Sequence, residues 1–351
     1  MSEMSVLKTN RLPKDQLGQY QAVREDGAGL IDLSSRGRLT VGGSEAVMFL
    51  NGLITNDMKT VLEGQWMPAA FPNVQGRLIA AVRVIRLLDD TSGTPRFLLD
   101  SEAATHKAVL KTIERFTLAG DFRVTDVTAE TKMLSVQGKG SLPAVRAVVG
   151  DGIGELKRDG VVVTRWNEIE VTVIRASHTA EDGFDLVVDL AHAEAIANEL
   201  INSGALPVTD ETFETLRIEA GVARFGTDMD ETNVVSETNL DDAVSFTKGC
   251  YIGQEIIARI KYRGHVAKKL TGLSFVESKL VEAGAVIKSV DGKDIGRITS
   301  VTFSPKLDKA IALGYVRYEH LAAGTDVVVG ADELKAKVTD LPFIRGSWYE
   351  E

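Results

Sequence analysis

The stretch LIAAVRVIRLLDDTSGTPRFLLD (residues 78–100) contains two apolar segments, rich in β-branched residues, on either side of a polar loop. Such segments are typical of β-strands, and the Asp, Ser, Gly and Pro residues between them favour a turn. The stretch therefore predicts a β-hairpin with strands at 78–88 and 96–100. Apolar residues then recur at helical spacing, which predicts a helix over about 101–116.

The same pattern recurs in the middle of the chain. EIEVTVIR (168–175) and FDLVVD (184–189) flank a polar loop, and the helical segment AHAEAIANELI (191–201) follows and is closed by Gly204. The two arrangements predict two ββα-like halves, related as a weak internal repeat.

Two further helices are indicated by their first residues. Ser44 precedes apolar residues at helical spacing, which predicts an N-cap and a helix over about 44–54. Another helix is predicted to start near Thr209 and to end at Gly221.

The chain changes character after about residue 270, where short apolar segments alternate with turn residues. The Asp-Gly pair at 291–292, between alternating segments, predicts a hairpin, and the tail as a whole predicts a small antiparallel barrel. The predicted fold class is α+β. We expect a body over residues 1–266, which contains both ββα-like halves, and a C-terminal β-barrel over 267–351.

The composition of the chain limits where the protein can be located and which disulfide or metal sites it can form. The chain has 351 residues, a formal net charge of −10 and one cysteine. No apolar run reaches the roughly 18 residues of a membrane span, and the N-terminus lacks the apolar core of a signal peptide, so we expect a cytoplasmic protein without membrane partners. A single cysteine excludes an internal disulfide and a self-contained zinc or iron–sulfur cage. The negative charge opposes non-specific attraction to nucleic acid.

The single cysteine, Cys250, lies in TKGCYIGQE (247–255). A lone cysteine is commonly a small buried hydrophobe. Here Gly249 and Gly253 allow a tight turn or the close approach of a partner, and Lys248 would favour the thiolate. The context thus permits a reactive or metal-ligating thiol, and both interpretations stay open on the residues alone. The segment after the turn, IIARIKY, fits a strand or a helix.

Two polar segments are candidate binding sites. Glu181 and Asp182 lie at the tip of the second predicted hairpin, where they are either a solvated turn or a carboxylate that accepts paired N–H bonds from a heterocycle such as a pterin. The run RIKYRGHVAKK (259–269) contains Arg259, Lys261 and Arg263, and is either a solvated face or a surface for RNA phosphates or a carboxylate-rich small molecule.

Together these stretches resemble the YgfZ family, the folate-binding relatives of the glycine-cleavage T-protein. KGCYIGQE (248–255) matches that family's KGCYxGQE signature. Further matches spread over nearly the whole length: REDGAGLIDLSSRGRL (24–39), FLNGLITNDM (49–58), LRIEAGVARFG (216–226) and YRGHV (262–266).

The resemblance implies a fold and a set of site residues. It implies three subdomains in a ring around a central channel for tetrahydrofolate or a derivative, and it places the pterin-holding glutamate at Glu181. It places the signature cysteine at Cys250, and it leaves recognition of an anionic folate tail to Arg259, Lys261 or Arg263. The accompanying signature positions are Lys248, Gly249, Tyr251, Gly253, Gln254 and Glu255.

The sequence also departs from the aminomethyltransferases of this group. Ile79 and Ala80 stand where those enzymes have their catalytic aspartate, so glycine-cleavage chemistry should be lost. Phe213 stands where they have an arginine.

The resemblance therefore predicts a tetrahydrofolate-binding accessory protein that supports assembly or repair of iron–sulfur client proteins, with Cys250 as the working thiol. One alternative is a folate-dependent one-carbon transferase that uses another acid, Asp57 or Glu219. The other is an RNA- or tRNA-modification-associated factor that uses residues 259–269.

Overall fold

The structure, a computed structural model, describes residues 13–115 and 120–350. The described residues form seven α-helices: α1 (Lys14–Arg24), α2 (Ala46–Leu53), α3 (Ala103–Glu114), α4 (Ser141–Val149), α5 (Ala193–Asn202), α6 (Asp210–Glu219) and α7 (Gln254–Arg263). None of these helices is both long enough and apolar enough to cross a bilayer. The last predicted residue of the helix over 101–116 lies outside the described residues.

The β-strands form two open sheets and a closed barrel. In chain order they are β1 (Ala28–Asp32), β2 (Gly37–Gly42), β3 (Gln65–Pro72), β4 (Leu78–Arg86), β5 (Arg96–Ser101), β6 (Arg123–Asp126), β7 (Thr131–Gln137), β8 (Val161–Trp166), β9 (Ile169–Arg175), β10 (Gly183–Asp189), β11 (Ala205–Pro207), β12 (Lys268–Phe275), β13 (Val286–Ser289), β14 (Asp294–Ser304), β15 (Lys309–Arg317), β16 (Asp326–Val329) and β17 (Leu334–Thr339).

The first sheet contains the hairpin predicted at 78–100. Its strand order is β3-β4-β5-β2-β6, and every pair is antiparallel. Alternate residues of β4 point to opposite faces, as the two-residue period of a strand requires. Ala80, Val82 and Val84 pack with α2 and α3, whereas Ile85 packs against the second sheet.

The second sheet repeats the arrangement. Its order is β11-β1-β7-β10-β9-β8, in which only the β1–β11 pair is parallel. The hairpin predicted at 168–189 is β9–β10, and α5 follows it as α3 follows β4–β5. Helices α4 and α5 cover one face of this sheet.

The C-terminal unit is a closed barrel with strand order β12-β15-β14-β13-β16-β17, and its pairs are antiparallel. The Asp-Gly pair at 291–292 lies in the turn between β13 and β14, where Gly292 has a φ of 85°. This conformation favours glycine. The predicted α+β fold with a C-terminal antiparallel barrel is confirmed.

The two predicted helix starts have different outcomes. Thr209 caps α6, because its side chain accepts a hydrogen bond from the Thr212 N–H. The prediction for Ser44 is wrong, since the N-cap of α2 is Glu45. The Ser44 backbone N–H and hydroxyl instead donate to Asp121, which ties the start of α2 to the loop before β6.

A buried network of charged side chains joins the two open sheets. Arg83 on β4 donates to Asp100 on β5 at 2.7 Å and to Asp185 on β10 at 2.6 Å. Arg36 also pairs with Asp100, and His178 contacts Asp185 at 2.9 Å. A buried charge is tolerated only when it is paired, so these contacts fix how the sheets pack on each other.

We predict that this network makes the protein acid-sensitive. Burial alone would raise the pKa of Asp100, but Arg36 and Arg83 outweigh it and hold that pKa at about 2, below the value of about 3.9 in an unfolded chain. The resulting stabilisation is complete above the unfolded pKa and is lost as the pH falls from about 4 towards about 2. The free energy of urea unfolding should therefore fall over this range.

Asp100→Asn should reduce the pH dependence of urea unfolding, whereas Asp294→Asn, at an exposed position, should leave it unchanged. Equal pH dependence in wild type and Asp100→Asn would contradict the assignment.

Candidate functional site

Glu181 is a buried carboxylate at the tip of the β9–β10 hairpin, with a side chain that is 1% exposed. Its Oε1 accepts a hydrogen bond from Arg24 Nη1 at 3.1 Å. Its Oε2 accepts from the backbone N–H of Ser347 at 2.7 Å and from the Ser347 hydroxyl at 2.8 Å. This burial excludes the interpretation of Glu181 as part of a solvated turn. Its neighbour Asp182 pairs with Arg175 at 2.8 Å.

Arg24 on α1 links Glu181 to a second buried carboxylate, Glu219 on α6. The Arg24 guanidinium reaches Glu219 at 2.7 Å, and the Tyr20 hydroxyl donates to the same carboxylate at 2.8 Å. Ser304 on β14 also donates to Glu219. Burial would lower the pKa of Arg24, but Glu219, Tyr20 and Glu181 together raise it. Glu219, an alternative acid in the sequence analysis, is thus fully used by structural donors.

The other predicted centre, residues 248–255, packs on the first half of the body, against α2 and the turn between β3 and β4. The Lys248 ammonium donates to the carbonyl oxygens of Asn51, Ile54 and Asn56 at 2.6–2.9 Å. These carbonyls lie in and after the last turn of α2, so Lys248 caps the helix C-terminus. Burial lowers the pKa of Lys248 to about 8, with Asp57 opposing the shift.

All three donors of the Lys248 ammonium are therefore used by carbonyl groups. An effect of this lysine on the thiol of Cys250 stays a prediction.

Glycine is required at one signature position by a close backbone approach. Gly253 has a φ of 78°, and a Cβ atom there would lie 2.4 Å from the carbonyl oxygen of Asn73. Asn73 begins the turn between β3 and β4. Tyr251 is buried in a cluster with Leu78 and Ile257, and burial raises its pKa to about 12. The signature segment is thus locked onto the β3–β4 hairpin.

The thiol itself is left outside this packing. Cys250 is exposed, which excludes the interpretation of a small buried hydrophobe. No atom lies within 4 Å of a Cβ built at the adjacent Gly249, so open space adjoins the loop. Within residues 13–115 and 120–350, no group of three or more His, Cys, Asp and Glu side chains is arranged to hold a metal ion.

The segment IIARIKY is helical and belongs to α7, whose first turn contains Gln254 and Glu255. Arg259, Lys261 and Arg263 are exposed on this helix. Lys261 lies 5.1 Å above the ring of Phe246. The cations of α7 thus form an exposed basic surface, and their proposed contact with a folate tail remains a prediction.

Three positions were predicted to differ from the aminomethyltransferases, and all three are apolar: Ile79, Ala80 and Phe213. Ala80 is 0% exposed in the core of the first sheet, and the half-buried Ile79 packs against the same core. Phe213 packs between the two open sheets. Asp57, the other alternative acid, accepts the N–H of Lys59 in a turn.

Residues 346–350 also contribute to the Glu181 site, although no pattern in the sequence indicated this. We call residues 346–350 the strap. They follow Ile344, whose N–H donates to the Glu219 carbonyl at 3.1 Å, and they cover Glu181. A Cβ at Gly346 would lie 2.2 Å from Glu181 Oε1. A glycine at position 346 is compatible with a close approach, but nothing in the sequence indicated that Glu181 is the residue approached.

We predict that Lys248 is chiefly a stabilising residue. Lys248→Met keeps the approximate length of the side chain but leaves buried carbonyl groups without a donor. The free energy of unfolding in urea should therefore fall by about 2–4 kcal/mol. Lys261→Met, at an exposed position of α7, is the matched control and should change stability by less than about 0.5 kcal/mol. Equal urea midpoints for the two variants would contradict this role.

Comparison with known proteins agrees with this architecture. The GCVT N-terminal domain matches residues 13–248, and the glycine cleavage T-protein C-terminal barrel domain matches residues 268–344. The chain is 30% identical over 328 residues to an aminomethyltransferase of Rubrobacter xylanophilus, which covers 93% of this chain and 86% of the relative. It is 28% identical to an aminomethyltransferase of Synechocystis, over 94% of this chain and 87% of the relative.

A solved structure shows the same fold. The crystal structure of glycine cleavage system aminomethyltransferase T from Bartonella henselae superposes with a TM-score of 0.85 at 25% identity, and covers 94% of this chain and 90% of that one. Both domain matches, the sequence relatives and this structure agree, and the chain belongs to the glycine-cleavage T-protein family.

Proposed function

We propose that this protein binds tetrahydrofolate or a derivative, with Glu181 as the residue that holds the pterin ring. The observation that carries the proposal is the geometry of the Glu181 carboxylate. Its Oε2 accepts two adjacent donors, the N–H and hydroxyl of Ser347, at 2.7 and 2.8 Å. A pterin presents a similar pair of neighbouring N–H donors from its ring and its amino group. A carboxylate is the natural acceptor for such a pair.

The surroundings of Glu181 support an anionic, oriented acceptor. Arg24 supplies a positive charge at 3.1 Å and is itself held by Glu219, so the carboxylate is fixed before a ligand arrives. Such preorganisation reduces the entropy that binding costs. Membership of the T-protein family, whose members typically bind tetrahydrofolate, points to the same ligand.

Two apolar residues of β4 argue against the family's aminomethyl chemistry. Bound tetrahydrofolate would supply nitrogen atoms that carry a one-carbon unit. The resemblance places the acid that assists this transfer at Ile79 and Ala80, neither of which can hold or move a proton. We therefore propose that the protein resembles the YgfZ group and uses folate binding in the maintenance of iron–sulfur client proteins.

Cys250 is the residue proposed to act on those clients. It is exposed beside open space, where a thiol can reach another protein. A single sulfur cannot hold a cluster alone, so Cys250 would provide one ligand to an iron whose other ligands belong to the client.

A second candidate function is a one-carbon transferase that employs a different acid, and the names of the relatives favour it. Turnover of a methylated amine with tetrahydrofolate would support the transferase. A lack of turnover by a protein that binds folate would support the accessory role.

Calorimetric titration with tetrahydrofolate tests the folate site. Wild-type protein should bind, and Glu181→Gln should weaken binding by about tenfold or more, because the ring loses a charge-assisted pair of hydrogen bonds. Glu170→Gln, at an exposed carboxylate on β9 of the same hairpin, is the matched control. Equal affinities for wild type and Glu181→Gln would refute the assignment.

A complementation experiment tests the proposed role of the Cys250 thiol. In cells that lack the protein, Cys250→Ser should fail to restore the activity of iron–sulfur enzymes, since a hydroxyl is a poor ligand for iron. Thr247→Ala changes an exposed side chain of the same loop and should restore activity fully. Full restoration by Cys250→Ser would show that the thiol has no part in the function.

A further inference from the structure

The strap, residues 346–350, occupies the side of Glu181 that a pterin would need. Ser347 supplies both donors to Oε2, and Gly346 lies so close to Oε1 that a Cβ there would approach it to 2.2 Å. Arg24 occupies the remaining direction at Oε1. A ring with two adjacent N–H donors therefore cannot reach this carboxylate while the strap is in place.

Separate contacts hold the strap on the hairpin. The Trp348 N–H donates to the carbonyl of Ala180 at 3.2 Å, and the Ser347 hydroxyl accepts from the Asp182 N–H at 2.9 Å. Arg158 donates to the carbonyl of Glu350 at 2.5 Å and lies 5.6 Å from the ring of Trp348. The strap therefore follows the hairpin tip through main-chain and side-chain contacts on both sides of Glu181.

The contacts differ in how readily they can be given up. Arg24 is on a helix and pairs with Glu219 as well as Glu181, so moving it would remove the cation from two buried carboxylates. Ser347 begins a single 3₁₀ turn, Ser347–Tyr349, so its displacement disturbs no α-helix and no strand of a sheet.

We propose that the strap is an intramolecular competitor of the pterin, which must be displaced from Glu181 before folate binds. This inference rests on the proposed folate site and adds its regulation. The two donors of Ser347 take the place of the two ring donors. The strap thereby keeps the buried carboxylate hydrogen-bonded in the absence of ligand. The apparent affinity for folate is then the intrinsic affinity multiplied by the fraction of molecules in which the strap is open.

Variants of the strap test the inference by calorimetry with tetrahydrofolate. Gly346→Ala places a methyl group against Glu181, and deletion of residues 346–351 removes both Ser347 donors. Each should raise the affinity for tetrahydrofolate by roughly tenfold or more. Tyr349→Ala, a change of a partly exposed strap residue, is the control and should bind like the wild type.

Hydrogen exchange provides a second, independent readout. In wild-type protein, saturating tetrahydrofolate should accelerate exchange in the peptide that contains residues 346–350, although a ligand ordinarily protects the segments it contacts. Slower exchange there, or unchanged affinity in both strap variants, would overturn the inference.

The two proposals fail in different ways. If the strap variants bind tetrahydrofolate no better than wild type while Glu181→Gln binds more weakly, the folate site stands and the strap is only structural. If neither wild type nor strap variants bind, the folate site is wrong and the competitor role falls with it.

Discussion

The Arg24 guanidinium is the group on which the candidate site depends. It lies on α1, pairs with Glu219 on α6 and Glu181 on the β9–β10 hairpin, and donates to the carbonyl of Thr179 at 2.5 Å. Glu219 in turn accepts from Ser304 of the barrel. One cation thus sets the position of a carboxylate relative to two helices, a hairpin and the barrel.

This arrangement is stable only as a whole. Two buried carboxylates around one guanidinium carry a net negative charge, so each needs further donors. Glu219 obtains them from Tyr20 and Ser304, which belong to well-packed elements. Glu181 obtains them from Ser347, in a single 3₁₀ turn. Glu181 is therefore the carboxylate whose further donors lie outside the α-helices and strands, and it is the one that we propose as the acceptor for a ligand.

Local patterns in the sequence were sufficient for much of the fold. Strand period, turn residues and helical spacing act within a few residues, and the two hairpins, α5, α6 and the barrel follow from them. Ser44 does not cap α2, and its backbone N–H and hydroxyl instead donate to a distant acceptor, Asp121. The site depends on contacts of that kind: Lys248 and Asn51 are 197 residues apart, and Glu181 and Ser347 are 166 apart. Periodicity contains no information on such pairs.

The signature segment explains how a thiol can be exposed on a rigid loop. Lys248 fastens one end of the loop to α2, and Gly253 fastens the other to the β3–β4 turn, while Tyr251 is buried between them. Cys250 lies outside these attachments. Strand β4 of that hairpin also contains Ala80. The loop and the altered position therefore share one hairpin, whereas Glu181 belongs to the other open sheet. The position at which the resemblance places the aminomethyltransferases' acid and the proposed folate carboxylate thus lie on different sheets, so the two proposed roles can be tested by separate substitutions.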